Sequence, residues 1–213
     1  MYVPNHFAQP DSAALHELMR AHPFATFVVA TPSGLEVNHV PFVIDAEPAP
    51  LGTLRAHVAR GNPVWRALGS RTEAVVVFHG PDHYISPSWY PSKQELDGKV
   101  VPTWNYAVVH AHGPAMAIED RAWLERHLAE LVRVNEAGRS PAWEMSDAPA
   151  DFIEKMVGAV VGIEIPVRRL VGKWKLNQNR SAADRESVVV ALEADGSPGA
   201  LSMAGAMRRT LEG

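Results

Sequence analysis

Short β-rich runs separated by turn residues recur along most of this chain. The run 24–31 is followed by the turn residues Pro32, Ser33 and Gly34, and then by a partner run over 35–44. Pro41 inside the partner run favours an edge position or a bulge. Further runs lie at 51–58, 73–79, 82–90, 101–118 and 160–167. Because turns join these runs and regular strand–helix alternation is missing, the pattern predicts an antiparallel barrel with packed helices.

Helical patterns are fewer and lie mostly in the second half of the chain. A short amphipathic helix follows Asp11, Asp120 can cap a second helix, and a third is expected at about 149–158. The segment 181–194 suits a helix or a strand. We therefore expect a single domain over 1–195, with a helical annex at about 120–158. The small residues beyond Gly196 predict a flexible C-terminal tail over 196–213.

Composition excludes several classes of site and partner. The absence of cysteine excludes disulfides, thiolate zinc sites and iron–sulfur clusters. Ten histidines form no HExxH pattern, so no metal site is expected, and no GxGxxG or phosphate-loop pattern is present. A net charge of −4 does not favour a large DNA-binding face. No apolar run is long enough to cross a membrane and the N-terminus lacks a secretory pattern, so we expect a cytoplasmic protein.

The segment 57–63, His-Val-Ala-Arg-Gly-Asn-Pro, suits an anion. Arg60 has a planar donor fork that matches a phosphate, and Gly61 permits close backbone approach. Asn62 and Pro63 begin a short helix whose free amides favour negative charge. The alternative is a capped helix beside a solvated arginine, and the segment alone does not separate the two.

Two aromatic–polar segments suit a flat heterocycle. Ser86 and Ser88 lie between Tyr84 and the Trp-Tyr pair at 89–90, and a second segment, Pro-Thr-Trp-Asn-Tyr, covers 102–106. On a regular strand, Trp104 would share one face with Tyr106, and Thr103 the other with Asn105. Aromatic faces can stack on a ring while amides and hydroxyls bind its polar edge. The alternative is a set of core aromatics with surface polar partners.

A basic segment at 173–180 holds three cations and three amides around one tryptophan. It suits an exposed basic stretch, an anion site near a bound phosphate, or nucleic acid. One short basic segment in a net acidic chain is weak support for DNA binding.

Five ordered motifs together resemble the FMN-binding negative transcriptional regulators of the PaiB type, over roughly residues 1–193. They are Tyr2-x-Pro4-x-x-Phe7, His57-x-Ala-Arg-x-Asn-Pro63, Ser86-Pro-Ser-Trp-Tyr90, Pro102-Thr-Trp-Asn-Tyr106 and Lys175-Leu-x-Gln-Asn-Arg180. The resemblance implies an α+β, mainly β fold: an antiparallel split β-barrel of the FMN-binding type with peripheral helices, related to the pyridoxamine-phosphate oxidases. It also implies a homodimer with FMN at the subunit interface, and a regulatory role.

The resemblance further implies a set of cofactor contacts. Arg60 and Asn62 are placed near the phosphate, with His57 on the adjoining strand and His39 on another strand that borders the flavin. The ring or ribityl region is expected to be lined by Ser86, Trp89, Thr103, Trp104 and Asn105. Four more residues are expected to reach the same cleft: Lys175, Gln178, Asn179 and Arg180. The chain departs from the family at Asn177, where serine is usual.

Three functions remain open from the sequence. The first is an FMN-binding regulator or sensor, although the expected helix at 120–137 carries Glu125 and Glu130 and would repel DNA phosphates. The second is an FMN-dependent oxidoreductase or flavin-reductase-like enzyme, in which His110, His112 and Tyr106 are acid–base candidates by chemistry alone. The third is a haem or other small-molecule binding module, suggested by the histidine content.

Overall fold

The computed structural model describes residues 1–69, 72–95 and 97–211. The strands are β1 (Ala8–Gln9), β2 (Phe24–Thr31), β3 (Gly34–Pro41), β4 (Val43–Asp45), β5 (Thr53–Ala59), β6 (Glu73–Ile85), β7 (Thr103–Pro114), β8 (Met116–Ile118), β9 (Val160–Pro166) and β10 (Arg169–Lys175). The α-helices are α1 (Ser12–Ala21), α2 (Ser92–Glu95), α3 (Arg121–Glu136), α4 (Ala150–Gly158), α5 (Ala182–Asp195) and α6 (Pro198–Arg209). Within the described ranges, no helix is long and apolar enough to span a bilayer.

The chain divides into two compact units. Unit 1 comprises Met1–Leu18, His79–Val109 and Val171–Gly213, and unit 2 comprises Met19–Phe78 and His110–Leu170. Strands β6, β7 and β10 each contribute residues to both units. The sequence led us to expect one domain over 1–195, and its β-rich pattern does not reveal this division.

Unit 1 combines antiparallel strands with the C-terminal helices. Its strands follow the order β1-β10-β7-β6, with Ala8 opposite Lys173. A Cβ added at Gly172 would lie 2.2 Å from Leu15 Cδ2, so glycine lets β10 approach α1 closely. The core of this unit is apolar and is formed largely by α5 and α6; its buried residues are Ile85, Tyr90, Leu176, Val188, Val189, Leu192, Ala200, Met203, Ala204, Ala206 and Met207.

The predicted C-terminal tail is wrong over most of its length, because Pro198–Arg209 is helix α6, which buries one of its faces. Ser197 caps this helix by accepting a hydrogen bond from the Ala200 amide, and Gly196 ends α5 in the left-handed conformation at φ 71°. The small residues that suggested disorder instead allow close packing, and Met203 is fully buried. Residues 212 and 213 of the predicted tail lie outside the described residues. The segment 181–194, for which helix and strand were both open, is helix α5.

Unit 2 contains two sets of antiparallel strands, in the orders β6-β2-β3 and β4-β5-β9-β8. The β2–β3 hairpin pairs Phe24 with Pro41 and Thr31 with Gly34, leaving a two-residue loop. In the first set β3 is the edge strand, as Pro41 indicated. Helices α3 and α4 lie where the helical annex was expected, and Asp120 caps α3 by accepting from the Trp123 amide at 2.8 Å.

Candidate functional site

The predicted cofactor-binding residues are distributed over both units. Unit 2 holds His39, His57, Arg60 and Asn62. Unit 1 holds the other nine: Ser86, Trp89, Thr103, Trp104, Asn105, Lys175, Gln178, Asn179 and Arg180. Within unit 1, β6, β7 and β10 are neighbouring strands. Most of the predicted cofactor-binding residues of this unit lie on these strands or on the turns that follow them.

Arg60 uses its guanidinium within unit 2. Its Nε donates to the Gly158 carbonyl at 2.9 Å, and its Nη1 lies 2.6 Å from Glu119 Oε2. Its Nη2 donates to the Val160 carbonyl at 3.3 Å. Gly158 is the last residue of α4, so the arginine satisfies a helix C-terminal carbonyl and complements the helix dipole. A phosphate at Arg60 stays a prediction, and it would compete with these contacts.

Asn62 is the cap of the short 3-10 helix Pro63–Ala67. Its Oδ1 accepts from the Val64 amide at 3.0 Å, and its Nδ2 donates to Asn38 Oδ1 at 2.7 Å. His39 lies exposed on β3, and its Nδ1 is 3.2 Å from Thr26 Oγ1. The structure therefore gives Asn62 a structural task and leaves His39 at the surface.

Half-buried His57 pairs with buried His127, a contact that the sequence did not reveal. His57 Nδ1 lies 3.2 Å from His127 Nε2, and the His127 ring stacks on Trp123 with centroids 5.1 Å apart. The pKa of His127 is lowered to about 4, mainly by burial and further by the neighbouring His57 and Arg55. Burial also lowers the pKa of His57. The two rings are therefore neutral at pH 7 and anchor α3 on β5.

Lys175 on β10 is held against β7 by two uncharged acceptors. Its Nζ donates to Thr103 Oγ1 and, at 2.8 Å, to the Trp104 carbonyl. Burial lowers the pKa of Lys175, and the neighbouring Lys173 lowers it further. The structure thus brings together three predicted site residues, Thr103, Trp104 and Lys175.

Lys173 belongs to the basic segment at 173–180 but was not among the predicted cofactor contacts, and the structure buries it. It is 8% exposed, and its Nζ donates to the Tyr2 carbonyl at 3.2 Å. The ammonium lies 5.2 Å from the ring centroid of Tyr106 and 5.8 Å from that of Tyr2, at cation–π distance. Neither this lysine nor Lys175 forms an ion pair with a described carboxylate. This surface of β7 and β10, formed by Thr103, Trp104, Tyr106, Lys173 and Lys175, is called the lysine face below.

Trp104 gives the lysine face an open aromatic side. Its side chain is 55% exposed, and the Tyr84 ring stands against it edge-on, with centroids 6.2 Å apart and an interplanar angle of 71°. An exposed indole of this size is more typical of a binding surface than of a core.

Asn105 points into the opposite, buried side of β7. It is fully buried, and its Nδ2 lies 3.5 Å from the sulfur of Met207 on α6. Its Oδ1 finds no hydrogen-bond partner among the described residues. The amide is therefore covered by α6, and direct contact with a cofactor would require that helix to move.

Ser86 and Trp89 belong to a short structural turn. Ser86 caps the 3-10 helix Pro87–Trp89: its Oγ accepts from the Ser88 amide at 3.2 Å and lies 2.7 Å from Ser88 Oγ. Trp89 packs against the helical core of unit 1. Among the described residues, neither Ser86 nor Trp89 forms a hydrogen bond or ring contact with the lysine face.

The turn after β10 is organised by its own side chains. Gln178 Oε1 accepts from the Leu176 amide at 2.7 Å, and its Nε2 donates to the Trp174 carbonyl at 2.6 Å. Arg180 lies over the Tyr90 ring at 4.8 Å, while Asn179 is exposed. These contacts hold the turn together and leave Asn179 available at the surface.

Asn177, the departure from the family pattern, has a backbone reason. Its φ is 64°, in the left-handed region, which asparagine tolerates better than serine. Its Nδ2 donates to the Tyr90 hydroxyl at 3.2 Å, and burial raises the pKa of that tyrosine. Across the part of the chain that the structure describes, no group of three or more histidine, aspartate or glutamate side chains is arranged to hold a metal.

Comparison with known proteins identifies relatives over the whole chain. Residues 1–169 match the family model described as a putative FMN-binding domain. The protein of Bacillus subtilis named protease synthase and sporulation protein PAI 2 is 30% identical over 213 residues, covering 100% of this chain and 99% of that protein. An uncharacterized protein of Aspergillus fumigatus is 33% identical, covering 91% of each chain.

Solved structures share the fold at low identity. The flavocytochrome Anf3 from Azotobacter vinelandii matches with a TM-score of 0.60 and 15% identity, covering 81% of this chain and 72% of its own. A FAD and heme binding protein from Mycobacterium smegmatis matches with a TM-score of 0.56 and 17% identity, covering 84% and 78%. Together with the antiparallel sheets of the chain, these two solved structures confirm the predicted fold class, an α+β split β-barrel with peripheral helices. The resemblance in the sequence motifs is confirmed as well: the chain belongs to the putative FMN-binding domain family, together with the Bacillus PAI 2 protein.

Proposed function

We propose that the protein binds flavin mononucleotide through the lysine face. The observation that carries the proposal is a pair of lysines, Lys173 and Lys175, on the same face as the exposed ring of Trp104. Neither lysine forms an ion pair with a described carboxylate. Uncompensated positive charge attracts a phosphate, and an open indole favours stacking of a flat heterocycle. Membership of the FMN-binding family supports the same ligand.

The residues of the lysine face fit the chemistry of this cofactor. In its ammonium form, Lys175 donates to Thr103 and the Trp104 carbonyl and keeps a third hydrogen that it can donate to an anionic oxygen. Trp104 supplies apolar area. When bound, FMN would supply hydride or electron transfer. Arg60 and Asn62 support this proposal less well, because their polar groups are used within unit 2.

A titration of FMN, followed by quenching of flavin fluorescence, tests the proposal. Trp104→Ala should weaken binding through lost stacking, and Lys175→Gln should weaken it about tenfold through a lost charge-assisted hydrogen bond. Trp143→Ala, a matched change at another exposed tryptophan, should leave the affinity unchanged. Riboflavin, which lacks the phosphate, should respond less to Lys175→Gln than FMN does. Unchanged FMN affinity in both lysine-face variants would overturn the assignment.

Arg60→Gln separates the sequence-based placement of the phosphate from the contacts seen in unit 2. If Arg60 acts structurally, the variant should lower the free energy of unfolding and keep the FMN affinity of the wild type. A loss of FMN affinity at unchanged stability would restore Arg60 as a phosphate ligand.

A homodimer is the second part of the proposal, and an exposed apolar surface on the β2–β3 hairpin supports it. Leu35 is 74% exposed, and Val37 and Phe24 are also largely exposed on this edge hairpin. Leu35 and Val37 lie two residues apart on the same face of β3, and exposed apolar surface of this kind typically marks an interface, most often with a second copy. Light scattering should give twice the chain mass for the wild type and a lower mass for Leu35→Lys. A monomeric wild type would refute this part.

A regulatory role is the third part, and it rests on the resemblance of the sequence motifs to the PaiB-type regulators. This role requires the protein to lie in the cytoplasm, and cell fractionation would test that location. The charge of the chain does not favour direct contact with DNA, so an indirect effect fits better. Salt-sensitive binding to a promoter fragment without turnover would favour direct regulation. Steady oxidation of reduced nicotinamide by the FMN-loaded protein would favour the oxidoreductase alternative.

A further inference from the structure

The two lysines of the lysine face differ in their surroundings. They are two residues apart on β10, so both side chains leave the strand on the same side. Lys173 is buried, and its ammonium is fixed at the Tyr2 carbonyl and near two aromatic rings. Lys175 is half-buried and reachable from solvent. One lysine is thus a fixed positive charge, and the other is an accessible amine beside it.

The contacts of Lys175 can be made by the neutral amine as well as by the ammonium ion. Its two hydrogen-bond acceptors, the Thr103 hydroxyl and the Trp104 carbonyl, are uncharged, and no described carboxylate forms an ion pair with it. A neutral amine can donate both hydrogens to these acceptors and keep its lone pair free. An ordinary surface lysine is unreactive because it is protonated, and burial beside a second cation is a known way to activate the amine.

The direction of the pKa shift supports this geometry. Burial lowers the pKa of Lys175, and the charge of Lys173 lowers it further. Near neutral pH, a decrease of about one in the pKa of a lysine raises the fraction of neutral amine about tenfold. Lys173 therefore acts on the amine through its charge and need not contact a reactant.

We infer that Lys175 is a nucleophilic amine that condenses with small anionic aldehydes or 2-oxo acids to form an imine. The amine nitrogen attacks the carbonyl carbon, a carbon–nitrogen bond forms, and the carbonyl oxygen leaves as water with the two amine protons. No oxidant or reductant is needed. The anionic class follows from the uncompensated charge of Lys173, and the exposed ring of Trp104 offers an apolar flank to the bound molecule.

Reductive trapping on the full-length, flavin-free protein tests the inference. The protein is incubated with glyoxylate and cyanoborohydride, and the label on each of the five lysines is measured by peptide mass spectrometry. Lys175 should be labelled several-fold faster than Lys155, an exposed lysine that lies 3.7 Å from Asp151. Lys175→Arg should remove only this fast label, whereas the control Lys155→Arg should leave it in place. Equal rates at Lys175 and Lys155 would overturn the inference.

Variants at Lys173 separate reactivity from mere exposure. Lys173→Met removes the charge but keeps an unbranched apolar stem, so the pH of half-maximal labelling at Lys175 should move upward. Lys173→Arg keeps the charge and should retain the wild-type pH profile. It therefore shows whether a substitution at position 173 changes the profile when the charge is kept. An unchanged profile in folded Lys173→Met would contradict the role of Lys173.

Glycolaldehyde, a neutral probe of similar size, tests the substrate class. The preference for Lys175 over Lys155 should be larger with glyoxylate than with glycolaldehyde, and equal preferences would refute an anionic class. Because these trapping experiments contain no flavin, their outcome does not depend on the proposed FMN binding. A protein that traps glyoxylate at Lys175 but does not quench FMN fluorescence would retain this inference and lose the proposed function.

Discussion

Protonation of His127 should weaken folding as the pH falls. This histidine is 3% exposed, paired with His57 and stacked on Trp123, and its pKa in the folded protein is about 4. The ordinary value, 6.5, applies to the unfolded chain. Between these two values the unfolded state binds more protons than the folded state. The free energy of unfolding is therefore highest above pH 6.5 and falls as the pH is lowered toward 4.

The size of this effect follows from the two pKa values. Moving from pH 7 to pH 4.5 should cost about 2.4 kcal/mol of stability through His127 alone. That is a large share of the 5–15 kcal/mol typical of native proteins, on the order of a sixth to a half. Burial lowers the pKa of His57 as well, so its contribution has the same sign.

Urea unfolding at the two pH values, followed by tryptophan fluorescence, measures the effect. The wild type should lose more stability between pH 7 and pH 4.5 than His127→Gln, and the difference should approach the magnitude worked out above. His79→Gln, a change at an exposed histidine, should lose as much as the wild type. An equal loss in the wild type and in His127→Gln would refute the reasoning, whatever the absolute stability of the variant.

Three further substitutions test packing and backbone conformation by their effect on the free energy of unfolding in urea. Gly162→Ala should destabilise by about 1–3 kcal/mol, because the new Cβ would lie 2.3 Å from Trp123, whereas Gly158→Ala meets nothing within 4 Å and should be tolerated. Asn177→Ala should cost about 1–2 kcal/mol, since alanine disfavours a φ of 64°, and a loss as large in Asn177→Gly would contradict that cause. Asp184→Ala should cost about 1–3 kcal/mol by leaving the two partly buried donors of Ser92 unpaired, and an unchanged stability would show that water replaces the carboxylate.

Much of the fold could be predicted from local patterns. The hairpin that begins at Phe24 follows from β-branched and aromatic residues around a proline–glycine turn, and both features act within a few residues of each other. The helix after Asp120 follows from a capping residue and helical spacing. The C-terminal helix was not predicted, because its small residues form a stable helix only when they pack against α5.

The candidate site could be predicted only in part. The motif at 102–106 pointed to Thr103 and Trp104, and the basic segment pointed to Lys175, but nothing in their sequence spacing revealed that β7 and β10 are neighbours in unit 1. Lys173 belongs to the same basic segment, and its burial between two tyrosine rings could not be read from it.

The sequence by itself determined the antiparallel α+β class, the family and the residue types available for binding a flavin. The tertiary structure decided which of those residues are free to bind. Arg60 lies 59 positions before the glutamate it pairs with, and His57 lies 70 positions before His127, so neither contact leaves a local signal. A side chain keeps its hydrogen-bonding capacity only if folding brings no partner to it. For that reason the same arginine that the sequence offers to a phosphate is used in the fold to hold the end of a helix.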